Sequence, residues 1–246
     1  MKKKAIFFCF SLFSACTLYA AVVINGTRVI YPAEEKEVTV QLTNNSKLPS
    51  LVQAWIGHGN EELKNDGKTP VPFVLAPPMF RMEPGKGQTL RILYTGEALP
   101  QDKESLFYLN VLDIPPKPTN ENASKSGDYL QISVRSRLKF FFRPKGLSMA
   151  IEEAPQAVSW CVYKNAGGKW QLKAKNDTPY YITYREANLV DGKSYPIKEI
   201  DMLAPISDTD FSIAAVKNIA NLNVHYIIVN DHGGSTKGQA VVKPSC

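Results

Sequence analysis

The chain has 246 residues, 44% of them hydrophobic and 21% charged, with a formal net charge of +6. That length fits one large domain or two of ordinary size, and the apolar fraction is enough for real cores, which excludes wholesale disorder. The charge is partly an end effect, and the mildly basic remainder gives no case for binding nucleic acid.

Met1-Lys2-Lys3-Lys4 is a positive start, and Ala5 to Leu18 is apolar but too short to span a bilayer. Leu18-Tyr19-Ala20 then supplies a small residue for cleavage. These features predict a cleaved secretory signal over residues 1–20 and an exported protein starting at Ala21. A lipoprotein signal is the rival, since Phe13-Ser14-Ala15-Cys16 resembles its motif, but Phe13 stands where an aliphatic residue is needed. Without residues 1–20 three lysines leave, so 26 basic residues face 23 acidic ones, a net charge of +3. Cys9 and Cys16 leave too. The remaining Cys161 and Cys246 most simply form one disulfide in an exported protein, with two unpaired thiols as the alternative.

The chain then reads as all-β. Val38, Val40 and Leu42 alternate with polar residues, the mark of a strand with one buried face. Leu51 to Ile56 is a more apolar run, suited to a central strand, and Leu90 to Tyr94 and Leu106 to Ile114 follow. Turn residues separate them: Asn44-Asn45-Ser46, Asn65-Asp66-Gly67 and Glu83-Pro84-Gly85. Pro115 to Asp128 is polar, Pro-rich and without apolar anchors, and reads as a mobile loop. Tyr129 to Phe142 reads as one long strand. Leu130, Ile132, Val134, Leu138, Phe140 and Phe142 fall on one face, and Gln131, Ser133, Arg135, Arg137 and Lys139 on the other.

Arg143-Pro144-Lys145-Gly146 is the predicted domain boundary, because Pro and Gly end a strand and set a bend. Strand patterns resume at Val158 to Lys164, Lys169 to Lys175, Tyr180 to Val190, Val224 to Asn230 and Gly238 to Lys243. Asn165-Ala166-Gly167-Gly168 and Asp231-His232-Gly233-Gly234 look like hairpin turns. The expectation is two β-sandwich domains over residues 21–143 and 147–246.

Catalytic patterns are missing. His58, His225 and His232 have no metal-ligand spacing to one another or to cysteine. His58 reads as an exposed loop residue and His225 as a structural one. No Gly-x-Ser-x-Gly elbow accompanies Asp231-His232, and Gly233 to Gly238 lacks the phosphate-loop order. No enzyme, cofactor or metal is expected.

Several segments in order resemble PapD-like pilus (fimbrial) chaperones of the chaperone–usher pathway. They are Gly26-Thr27-Arg28 through Pro32, Leu51 through Ile56, and Phe73 through Pro78 with Arg81 and Glu83-Pro84-Gly85. Glu104 through Asn110 running to Pro116, and Leu138 through Pro144, complete the set. The resemblance implies two immunoglobulin-like sandwiches set at an angle, a periplasmic location, pilin subunits as clients and an outer-membrane usher as recipient. It implies that a lent edge strand completes the client's sandwich, a form of β-strand addition. By the same resemblance Arg28 and Lys139 would bind the client's C-terminal carboxylate. Leu130, Ile132 and Val134 would form the donor strand, whose bland alternative is filling this domain's own core. Glu104, Arg143 and Asp231 would form an interdomain charge network. The lack of a cysteine pair in the first half points to the family's short-loop subclass. An exposed apolar edge would also permit self-association, with Arg135, Arg137 and Lys139 as partial guards. A structural pilin or adhesin is the competing function, but a pilin would begin with an alternating donor extension, whereas Arg28 already lies in a strand.

Overall fold

The computed structural model describes residues 22–59, 70–117, 131–213 and 221–246. The signal segment, Asn65-Asp66-Gly67, Leu130 and most of the predicted loop at 115–128 lie outside the described residues.

The first half contains β1 (Val22–Ile24), β2 (Arg28–Pro32), β3 (Val38–Asn44), β4 (Ser50–Gly57) and β5 (Phe73–Ala76). It continues with β6 (Met79–Met82), β7 (Gly87–Tyr94), β8 (Ser105–Ile114) and β9 (Val134–Arg143). One sheet has the order β1-β3-β7-β5, and the facing sheet β2-β9-β8-β4-β6. β1 and β2 follow each other in sequence but belong to opposite sheets. Gly26 makes the crossing at φ +115°, a backbone state that a side chain disfavours. The alternation in β3 puts Val40 and Leu42 inward and Thr39 and Gln41 outward. Between the sheets Tyr31, Phe73, Phe107, Phe140 and Phe142 pack with Leu42, Leu90, Ile92 and Leu109. Their rings meet in tilted and edge-on pairs, as between Phe73 and Phe140 at 4.8 Å. The buried Tyr31 hydroxyl donates to backbone carbonyls at Glu35 and Lys36 and accepts from the Tyr94 N–H, so its burial strands no polar atom.

The second half starts with a short helical turn, α1 (Ala154–Ala157), then β10 (Ser159–Lys164), β11 (Trp170–Asn176) and β12 (Ile182–Val190). β13 (Ser194–Pro196), β14 (Met202–Leu203), β15 (Ser207–Ser212), β16 (Asn223–Val229) and β17 (Ser235–Lys243) follow. β17 joins two sheets: its first part pairs antiparallel with β16, and its end pairs parallel with β10. A separate core of Trp160, Leu172, Tyr184, Leu203, Leu222 and Tyr226 fills this sandwich. Because β17 ends beside β10, with Lys243 opposite Cys161, the C-terminal Cys246 reaches Cys161 and the two form a disulfide. The fold is thus all-β with two immunoglobulin-like sandwiches.

One expectation needs correction. The strand predicted from Tyr129 starts only at Val134 within the described residues. The ladder with β8 ends at the Asp113–Val134 pair, and among the described residues Gln131 to Ser133 have no partner strand. Its apolar stripe also changes environment along its length. Ile132 and Val134 are 62% and 55% exposed, whereas Leu138 is 7% exposed and Phe140 and Phe142 are buried. β15 went unseen because Ser-Asp-Thr-Asp-Phe-Ser has one apolar residue; its pairing with β11, not its own pattern, makes it a strand.

Candidate functional site

The two sandwiches meet at a cleft, and β2 and β9 supply its charged floor. These strands are parallel neighbours with Arg28 opposite Lys139 and Pro32 opposite Arg143. Two cations therefore sit side by side, an arrangement that is unfavourable unless anions face it. The second domain supplies them.

At the inner end Arg143 is fully engaged. Its Nε donates to Glu104 Oε1 at 2.8 Å, and its two Nη atoms donate to the carboxylate of Asp231 at 2.6 and 3.1 Å. Such a fork-to-fork pair fixes direction as well as distance. Glu104, buried at the start of β8, also accepts the Tyr181 N–H at 2.9 Å, and its own N–H donates to the Pro179 carbonyl at 2.9 Å. One glutamate thus ties both its side chain and backbone to the other domain. Burial pushes the Glu104 carboxyl up, against the opposing pull of Arg143 and the Tyr181 N–H. Arg143 shifts up under its two carboxylates despite the cost of burial. Phe141, on the cleft side of β9, packs on Tyr181 with ring centres 5.7 Å apart. Gly233, at φ +80° in the hairpin between β16 and β17, abuts Thr27: a Cβ there would lie 2.4 Å from the Thr27 Oγ1.

At the mouth the balance differs. Arg28 makes no salt bridge among the described residues, and its Nε is buried without a hydrogen-bond partner. It lies 5.7 Å from the centre of the Phe141 ring. Burial draws its guanidinium down, and the nearby carboxylates Asp231, Glu104 and Asp201 only oppose that effect. Arg28 borders a cavity of about 420 Å³, which Tyr181, Thr183, Asp231 and His232 also line. The buried Thr183 Oγ1 has no partner either. Two unsatisfied polar groups beside one cavity make a site that favours an added anionic oxygen. Lys139 reaches across to the second domain, with its Nζ 2.8 Å from Asp201 Oδ1.

Of the residues singled out from sequence, Arg28 and Lys139 lie adjacent, and Glu104, Arg143 and Asp231 form one bonded cluster. Ile132 and Val134 project from the free end of β9. Leu130 lies outside the described residues. Sequence reasoning missed Asp201, Phe141, Tyr181 and Gly233. Asp201 and Tyr181 carry no motif, and Phe141 lies in the segment from Leu138 through Pro144 without having been given a role; Gly233 was read as a turn residue, and its close approach to Thr27 had no local signal. Among the described residues no group of three or more His, Cys, Asp or Glu side chains is placed to hold a metal ion.

Residues 21–148 match the family described as pili and flagellar-assembly chaperone, PapD N-terminal domain. Residues 153–240 match the pili assembly chaperone PapD, C-terminal domain. Chaperone protein HifB of Haemophilus influenzae is 43% identical over 247 residues, covering 98% of each chain. The solved structure of the YadV chaperone superposes with a TM-score of 0.75 at 36% identity, covering 90% of this chain and all of that one. A second solved structure, the Salmonella enterica SafA pilin in complex with the SafB chaperone, matches with a TM-score of 0.73 at 26% identity. It covers 92% of this chain and 98% of that one.

Proposed function

Since this chain belongs to the PapD family of pili-assembly chaperones, proteins that are not enzymes, we propose that it captures pilin subunits by lending them a strand. In this reading Arg28 and Lys139 bind the client's C-terminal carboxylate. Leu130, Ile132 and Val134 are the donor residues, and Glu104, Arg143 and Asp231 set the angle between domains 21–143 and 147–246. The protein works in the periplasm after loss of residues 1–20 and passes its clients to an outer-membrane usher.

One observation carries the reading: the free edge of β9 stops where the two cations begin. On one side β9 is paired with β8 along Val134 to Phe142. On the other side, among the described residues, only Lys139 to Arg143 have a partner, β2. The edge from Val134 to Leu138 is thus an open lane in line with β2. A client strand in that lane, running parallel to β9, ends beside Arg28 and Lys139. Each residue spans about 3.3 Å, so the five residues from Val134 to Leu138 offer about 17 Å of pairing. Backbone hydrogen bonds would hold the strand, the exposed Ile132 and Val134 would enter an apolar groove, and the paired cations would fix the register by gripping the terminus. Arg contributes a planar fork and Lys a compact charge.

The test is co-purification from the periplasm with the fimbrial subunits of the same organism. Wild type is expected to retain a subunit, and Lys139→Ala, with an unchanged melting temperature, is expected to lose it. Normal recovery with that variant would remove the anchoring role.

A further inference from the structure

The cleft's own charges balance. Three cations, Arg28, Lys139 and Arg143, face three carboxylates, Glu104, Asp231 and Asp201. Beyond them Glu152 and Lys237 line the same cavity and offset one another in charge. A client's terminal carboxylate would be a fourth anion. Its arrival would leave the cleft with an excess negative charge, in a place where Lys139 is only 18% exposed. Withdrawal of one resident carboxylate would restore the balance, and the three are held very unequally. Glu104 is buried, with two bonds to its side chain, and Asp231 grips Arg143 through both oxygens. Asp201 has a single bond, to Lys139, and its side chain is 74% exposed. It can turn to water without uncovering anything.

We propose that Asp201 is a resident carboxylate that engages Lys139 and is exchanged for the terminal carboxylate of the client. This rests on the anchoring reading given above. Asp201 is well placed for the task. Its backbone carbonyl accepts the Tyr184 N–H at 2.7 Å, beside the short β12–β14 ladder, so the main chain stays fixed while the side chain moves. In the resting state it offsets the repulsion between Arg28 and Lys139 and keeps the lysine extended across the cleft. It also sets a threshold for capture. A chain end must replace the Asp201 bond and, in addition, satisfy Arg28, whose Nε has no partner. A free carboxylate brings the negative charge that both cations call for, whereas an amide or an internal peptide segment offers only a neutral carbonyl acceptor. Asp201 is thus a built-in competitor for the anchor, which lowers the affinity for free chain ends and leaves that for amidated ones unchanged.

The experiment measures binding of a short synthetic peptide of alternating apolar residues, with a free C-terminal carboxylate, and of its C-terminally amidated twin. Titration calorimetry is done on the full mature chain as wild type, Asp201→Asn, Lys139→Met and the double variant. Because loss of an exposed ion pair is worth little, Asp201→Asn is expected to bind the acid peptide about two- to five-fold more tightly. The amidated peptide is expected to bind it as it binds wild type, and the gain is expected to vanish in the Lys139→Met background. Equal or weaker acid binding by Asp201→Asn, while wild type still prefers acid to amide, overturns the exchange and leaves the anchor intact. A gain that persists without Lys139 also overturns it. If wild type binds both peptides equally, the anchor itself fails, and the exchange fails with it.

Discussion

Two arginines four residues apart in register share one cleft and meet opposite conditions. Arg143 sits at the inner end with all three of its nitrogens bonded, to Glu104 and Asp231. Arg28 sits at the mouth with its Nε buried and unpartnered. The physical consequence is a division of labour along β2 and β9. A buried cation with full pairing is rigid, and removing it strands its partners. A half-buried cation without pairing is a standing demand for an anion. The cleft therefore combines a closed hinge with an open receptor, and both are built from the same pair of strands.

The largest expected effect breaks that contrast directly. Arg143→Ala leaves Glu104 and Asp231 facing each other without a cation, which costs about 3–5 kcal/mol for a buried pair. Urea denaturation is expected to show it, with the two sandwiches unfolding separately. Arg28→Ala removes a charge that the fold does not satisfy, so the free protein is expected to stay within about 0.5 kcal/mol of wild type while client capture is lost. Equal destabilisation by the two variants would erase the distinction between hinge and receptor.

Gly233→Val should come next. A Cβ at this left-handed position meets the Thr27 Oγ1 at 2.4 Å, so strain and a clash combine for about 1–3 kcal/mol. The stress falls on the domain contact, and small-angle scattering is expected to report a changed angle between domains. An unchanged profile would mean that the hinge absorbs the clash locally.

β9 offers a second internal contrast, since one apolar stripe is exposed at one end and buried at the other. Ile132→Asp is expected to alter the stability of the free protein by no more than about 0.5 kcal/mol. It should still weaken client binding at least about ten-fold, because a charge would enter an apolar groove. Unchanged affinity would move the lent strand elsewhere.

The smallest effect is a slope with pH. Burial holds the Glu104 carboxyl above its ordinary 4.5, so the folded chain keeps that proton more tightly than the unfolded chain does. That contribution is complete below the ordinary value and is lost as pH rises through the raised one. The stability of wild type relative to Glu104→Gln is therefore expected to fall as pH increases across this window, read by thermal melts. A rise would show that Arg143 and the Tyr181 N–H outweigh burial.

Much of the architecture was legible in the sequence because a strand writes its buried face as a period of two. Val38, Val40 and Leu42 show it, and so do the hairpin turns at Asn165 and Asp231. The pair Cys161 and Cys246 followed from counting. The motif residues Arg28, Lys139, Glu104, Arg143 and Asp231 were found because they sit in recognisable local segments. Periodicity states which side of a strand a residue faces, however, and not what lies opposite. Val134 and Phe140 share one phase, and only the reach of the facing sheet exposes the first and buries the second. Phe141 has the phase of a solvent residue, yet Tyr181 covers it from the other domain. Asp201 and Gly233 matter through contacts made 62 residues away and with Thr27, and no local pattern encodes such distances. The sequence by itself determined most of the strands and the turns, because these follow from neighbours along the chain, and the cysteine pair, because only two cysteines lie beyond the signal segment. The tertiary structure alone decided which cation is satisfied and which is left open, because that depends on carboxylates brought across from a second domain.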